Sequence, residues 1–185
     1  MPLVDIELPE CVAAPESKIS IGARALAAAV YASALAIMSA NASPASAASL
    51  SRSIDVNGTP ADVWSMIGPF CAIKNWHPAI ATCTEDGTTP PVRTLVTKDG
   101  KTTFVEMQTA RSDTKFIYSY NFVSSPIPVR HYAAQIEVAA KSAGVSTITW
   151  SGAYMPDPGK EKDAYATLSG IYESGLAAIK AKLAK

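Results

Sequence analysis

Beyond residue 48 the spacing of apolar and polar positions changes period in a definite order. Ile54 and Val56 alternate with polar neighbours and predict a short first strand. Asn57-Gly58 turns the chain, Thr59 can cap a helix, Pro60 suits its first position and Asp62 can help close the cap. Val63, Trp64, Met66 and Ile67 give this helix its buried face, Gly68-Pro69 ends it, and a second helical piece over 71–76 runs up to Pro78. From Ile80 to Tyr154 the pattern is strands punctuated by Asp86-Gly87, Asp99-Gly100, Ser112-Asp113 and Ala143-Gly144, with 126–128 as a longer connection. Phe104, Glu106 and Gln108 share one strand face. So do Phe116, Tyr118, Tyr120 and Phe122, with Lys115, Ser119 and Asn121 opposite. Tyr132, Ala134, Ile136 and Val138 repeat the alternation, with His131, Gln135 and Glu137 opposite.

Such alternation predicts an antiparallel sheet with one face covered and one wet. The cover is the last element. Ala164, Leu168, Ile171, Tyr172, Leu176, Ile179 and Leu183 recur at helical spacing, which predicts an amphipathic helix of about 25 residues, roughly 37 Å long. One strand, two short helices, about six strands and one long helix is an α+β order. A curved sheet gripping one helix closes poorly at its ends, so a cavity between them is expected.

The first 47 residues have another composition. They hold 14 alanines, against 18 in the remaining 138 residues. Lys18 and Arg24 precede an apolar run over 25–38, and Ala45-Ser46-Ala47 has a small-x-small pattern. This order predicts a secretory signal over 1–47, although the opening 17 residues carry four acids and no base. A buried or interfacial helix, or an uncleaved anchor, is the alternative. Cys11 precedes the apolar run and so cannot be a lipid-attachment cysteine at the cleavage point. The expected mature domain is 48–185, and its destination periplasmic or secreted.

Sixteen basic and sixteen acidic side chains cancel, and loss of the leader shifts the balance only slightly. There is thus no electrostatic case for nucleic-acid binding. No apolar run reaches the roughly 20 residues of a membrane-spanning helix. Nucleophile-elbow, phosphate-loop, HExxH and CxxC motifs are missing, so no cofactor is expected. Two histidines on different elements do not make a metal site.

The element order, VWSMIGPFCAIKNWHPAI over 63–80, Asp99-Gly100 followed by Phe104-Val105-Glu106, and IYESGLAAIK over 171–180 resemble the START/Bet v 1-like helix-grip superfamily (SRPBCC). Within it they resemble the polyketide cyclase/dehydrase-like branch. The WHPAI segment and the leader look like MxaD-type periplasmic proteins associated with bacterial methanol oxidation. The resemblance implies a helix-grip fold of about seven strands over 49–184. For function it implies a choice among lipid carriers, hormone receptors and cyclases.

The candidate chemistry is sparse. Glu106 should point into the sheet–helix space, where a carboxylate is costly unless paired. It is either a ligand-anchoring or proton-handling group, or a structural acid bonded to a tyrosine or backbone amide. His77, between Trp76 and Pro78, falls by resemblance to the hormone receptors near a ligand-contacting position. Its imidazole suits acid–base work, but a histidine beside proline is more often a structural hydrogen-bonding residue. Tyr118, Tyr120 and Tyr132 project inward and need hydroxyl partners, and by the same resemblance Tyr120 and Tyr132 match pocket positions. Trp76 is a candidate for the pocket mouth; His131 is expected on the surface and Trp150 in packing. No residue is firmly catalytic. Cys71 and Cys83 form an even pair in an oxidising destination, which predicts a disulfide, the alternative being two buried free thiols.

Three functions follow. The preferred one is a binding or carrier protein for a small hydrophobic, aromatic or lipid-like ligand. The second is a cyclase- or dehydratase-type enzyme using Glu106 and His77. The third is an accessory protein for a periplasmic dehydrogenase or cytochrome.

Overall fold

Thr59 and Asp62 close a reciprocal cap around Pro60, with the Thr59 hydroxyl accepting from the Asp62 N–H at 3.3 Å. The computed structural model describes residues 46–184; residues 1–45, with Cys11, the 25–38 run and nearly all of the expected secretory signal, lie outside the described residues. The capped helix α1 (Pro60–Ile67) follows strand β1 (Ala48–Asn57). A 3₁₀ turn (Phe70–Ala72) leads into α2 (Ile73–Trp76). Six more strands come next: β2 (Ile80–Glu85), β3 (Val92–Thr97), β4 (Thr103–Ser112), β5 (Ile117–Ser124), β6 (Val129–Ser142) and β7 (Val145–Pro156). The chain ends in α3 (Glu161–Leu183).

The strands form one antiparallel sheet in the order β1-β7-β6-β5-β4-β3-β2. This is the α+β helix-grip architecture expected, with seven strands and a C-terminal helix. Register shifts at Ile80/Thr82, Val105/Glu106, Gln108/Ala110 and Arg130/Ala133 bend the strands, since each bulge adds local twist. The bent sheet and α3 enclose a core that includes Tyr118, Ile136, Ile148, Leu168 and Ile179.

Three details differ from the expected pattern. β1 begins at Ala48 rather than near Ile54, because the serine-rich stretch pairs residue by residue with β7 from Ala48↔Tyr154 to Asn57↔Val145. Phe116 lies ahead of β5 in the turn, with a left-handed φ of 53°, and its ring meets Trp64 at 6.3 Å. Cys71 sits in the 3₁₀ turn rather than at the start of a helix. It is joined to Cys83 on β2 by a disulfide, with the Cα atoms 5.4 Å apart.

Helix α3 seats closely. A Cβ on Gly175 would lie 2.9 Å from His77 Cδ2 and from Trp150 Cζ3, and 3.1 Å from Trp76 Cζ3. Gly152 on β7 leaves room in the same way for the Tyr172 hydroxyl, which a Cβ would meet at 2.5 Å. On the other flank, Arg52 of β1 donates to Glu173 Oε1 at 2.7 Å and to Ser169 Oγ at 2.6 Å.

Candidate functional site

Between the sheet and α3 lies a cavity of about 180 Å³. Its buried part is made by Ile73, Ile80, Leu95, Leu168 and Trp150, with His77, Glu106, Tyr120 and Tyr132 as the polar members. Its outer part is Ala79, which is exposed, with half-buried Thr97, Thr102, Phe104, Phe122 and Ile171. The mouth therefore lies between the α2–β2 connection, the β3–β4 turn and the middle of α3. Glu106 on β4 stands four residues beyond Thr102 of the β3–β4 turn, roughly 13 Å at strand rise, and belongs to the floor.

Glu106 is not alone there. Arg93 on β3 is its register partner and is completely buried. Its Nε donates to Glu106 Oε2 at 2.7 Å and its Nη2 lies 2.6 Å from the same oxygen. Arg93 Nη1 donates to the Phe70 carbonyl, and the guanidinium carbon sits 4.0 Å from the centre of the Phe70 ring and 5.2 Å from that of Tyr120. Both contacts to Glu106 fall on Oε2, and Oε1 takes no hydrogen bond from the described residues. Burial pushes the Glu106 carboxyl above its ordinary value while Arg93 pulls it back. Burial disfavours charge on Arg93 too, yet Glu106 together with the Tyr118 and Tyr120 phenols outweighs this and the Arg93 pKa rises. Neutralising the acid would strand a guanidinium in the core, so the pairing favours the charged form of both groups.

His77 ends α2 and presents both nitrogens to backbone. Nδ1 accepts from the Ala79 N–H at 3.2 Å, which leaves Nε2–H to donate to the Ile171 carbonyl at 3.1 Å. Burial lowers its pKa, the Ile171 bond opposes this, and the charges of Arg93 and Lys98 add to the lowering. The neutral ring thus ties the α2–β2 connection to α3.

The tyrosines form a buried chain. Trp150 Nε1 donates to Tyr120 Oη at 3.0 Å, Tyr120 and Tyr132 hydroxyls lie 3.4 Å apart, and Tyr132 and Tyr172 hydroxyls 2.6 Å apart. Burial raises the pKa of all three phenols. Phe122 stacks on Tyr132 at 3.8 Å and Tyr172 on Trp150 at 4.4 Å.

Of the candidates named from sequence, His77, Glu106, Tyr120 and Tyr132 share this cavity wall. Trp76 and Tyr118 do not line it. Trp76 is buried beneath α3, edge-on to Trp150 at 5.8 Å, because Gly175 lets the helix descend on it; it does not stand at the mouth. Tyr118 packs against Phe70 and Trp64, with ring centres at 5.7 and 5.9 Å, and does not line the cavity. His131 is exposed on β6. Sequence reading missed Arg93 and the polar roles of Trp150 and Tyr172. Arg93 was legible in principle: Arg93, Leu95 and Thr97 share a strand face, so an inward Leu95 carries the arginine inward with it. Among the described residues, no three His, Cys, Asp or Glu side chains gather as a metal site. None of the described helices is long and apolar enough to cross a membrane.

Comparison with known proteins agrees with this geometry. The chain is similar to XoxI of Bacillus cereus, with 29% identity, a TM-score of 0.70, and coverage of 75% of this chain and 96% of that one. An uncharacterised protein of Bacillus thuringiensis shares 28% identity at a TM-score of 0.70, over 75% of this chain and 100% of the other. The ZhuI aromatase/cyclase of a Streptomyces species shares the fold, with 11% identity and a TM-score of 0.61 over 75% and 94% of the two chains. No curated protein matches. A helix-grip sheet, a cavity under the last helix and a family match spanning residues 47–184 converge, and the chain belongs to the polyketide cyclase/dehydrase and lipid-transport family.

Proposed function

We propose that the protein is exported and binds, and carries, a small hydrophobic or aromatic ligand in the cavity under α3. The observation that carries this reading is a largely apolar cavity whose ionisable groups are already engaged: Glu106 with Arg93, and His77 with two backbone groups. A proton-transfer role for Glu106 and His77 draws less support, since Arg93 favours the charged form of Glu106 and so makes it a weaker base, and the one free lone pair on His77 already accepts from Ala79. The Cys71–Cys83 bridge favours an oxidising destination. The likeness to XoxI, joined to the resemblance of the WHPAI segment to MxaD-type proteins, favours a second reading as an accessory protein for a periplasmic dehydrogenase or cytochrome.

Native mass spectrometry and solvent extraction of the protein purified from a periplasmic extract test the proposal. The expected result is a chain beginning at Ala48 that releases a small apolar molecule on unfolding. A chain beginning at Met1 or Pro2 in the cytoplasm refutes export. Protein that is always empty and gains no thermal stability from small aromatic compounds refutes carriage. Saturable binding to a dehydrogenase or cytochrome by such empty protein selects the second reading.

A further inference from the structure

Almost all of the surface facing the cavity is carbon. The polar side chains of the wall are turned to protein partners instead. His77 has one nitrogen on the Ala79 N–H and the other on the Ile171 carbonyl. Trp150 donates to the Tyr120 hydroxyl, and the hydroxyls of Tyr120, Tyr132 and Tyr172 follow one another at 3.4 and 2.6 Å. The Glu106 carboxylate is directed at Arg93, which does not line the cavity. Glu106 Oε1 has no donor among the described residues, yet it adds next to nothing to the cavity surface. Towards the rim, the Thr97 hydroxyl accepts from the Thr102 N–H and donates to Asp99 Oδ1.

The two ends of the cavity therefore differ in their access to water and not in the partners they offer. At the floor Glu106 is 4% and Tyr120 1% exposed. At the rim Ala79 is exposed, and Thr97 and Thr102 are half-buried. A hydroxyl or carbonyl group carried to the floor gives up its water and finds no partner, which weakens binding by a factor of about 5 to 150. The same group left at the rim keeps its water, and that loss does not arise. The volume of about 180 Å³ sets the size of the buried body, because apolar cavities of about 150 Å³ accept a benzene ring.

We propose that the cavity takes a one-ended ligand: a ring-sized hydrocarbon body at the floor and at most one polar group, which stays at the rim. A molecule of the same size that is polar at both ends is rejected, since one of those ends then lies at the floor. The inference rests on the small-ligand reading and narrows it to one chemical class.

In toluene, p-cresol and 4-hydroxybenzyl alcohol the same skeleton carries no hydroxyl, one, and one at each end. 4-Ethylphenol matches the last of these in size with a single hydroxyl. Calorimetric titration of the purified protein with the four compounds at neutral pH tests the inference, with fluorescence of Trp150 in the cavity wall as a second readout. p-Cresol and 4-ethylphenol should bind within about fivefold of toluene or more tightly, and 4-hydroxybenzyl alcohol at least about tenfold more weakly than 4-ethylphenol. A smaller difference between those last two overturns the inference and leaves small-ligand binding intact, because the second hydroxyl has then found a partner inside. p-Cresol binding more than about fivefold more weakly than toluene overturns the placement of the polar end, since neither end of the cavity then keeps a hydroxyl in water. No binding of any of the four removes the small-ligand reading and the inference with it.

Discussion

His77 is neutral in the fold because burial lowers its pKa below the ordinary 6.5, assisted by the charges of Arg93 and Lys98 and opposed by its bond to Ile171. The unfolded chain binds a proton that the folded chain refuses. Its contribution to stability is therefore complete above 6.5 and is lost as pH falls through the lowered folded value. Thermal melts between about pH 7.5 and about pH 5 should show stability declining with acid, and His77→Gln should flatten that slope. An unchanged slope in the variant assigns it elsewhere. The carboxylates with lowered values, Asp55, Asp86, Asp99, Asp113 and Glu173, lose their contributions only in more acid solution, below their ordinary 3.8 or 4.5. The Arg93–Glu106 pair predicts a different asymmetry. Arg93→Met leaves a carboxylate unpaired in the core and should cost about 3–5 kcal/mol, whereas Arg93→Met with Glu106→Leu should recover most of that loss. Denaturant unfolding of the two singles and the double measures the coupling; additive losses would falsify the claim that the two charges act as a unit.

At the scale of elements, α3 depends on which of its glycines touches something. Gly175 faces the Trp76, His77 and Trp150 rings at 2.9–3.1 Å from a would-be Cβ, while Gly170 faces open space. Gly175→Ala should destabilise by about 1–3 kcal/mol through overpacking, and Gly170→Ala should stabilise by up to about 1 kcal/mol through helix propensity. Opposite signs in equilibrium unfolding check the seating of the helix. The disulfide acts on a neighbouring element. Cys71 and Cys83 are 12 residues apart in sequence, and Ile73, His77, Ala79 and Ile80 of the cavity wall lie inside that loop. Cys71→Ser/Cys83→Ser should cost about 2–3 kcal/mol by loop-closure entropy and weaken ligand binding through the wall it holds. Binding that stays unchanged in the folded double variant limits the bridge to stability.

For the molecule as a whole, the cavity is the space left unfilled between the bent sheet and α3. Its rim is a place where bulk can be added without disturbing the floor. Ile171 is half-buried there. Ile171→Phe should lower the affinity for toluene and p-cresol together, by about tenfold or more, with stability unchanged or raised by up to about 2 kcal/mol as for other cavity-filling changes. Titration calorimetry and thermal melts on the same preparation test this. Retained affinity moves the entrance away from α3.

The strand and helix periods of Tyr118–Phe122, Tyr132–Val138 and Ala164–Leu183 were readable because each depends only on neighbours along the chain, and one face of each element is dry. The same periodicity turns Glu106, Tyr120 and Tyr132 inward and needs no tertiary contact to do so. The Thr59–Asp62 cap was equally local. Residues that meet across the fold were a different matter. The partner of Glu106 depends on β3–β4 register, and the engaged state of His77 depends on where the carbonyl of Ile171 arrives, 94 residues later. Trp76 and Tyr118 project inward yet miss the cavity, because strand and helix periods decide which face is buried and not which buried neighbours leave a gap. That gap is set by the bulges of the sheet and by the depth to which Gly175 lets α3 descend, and both are properties of elements packed together.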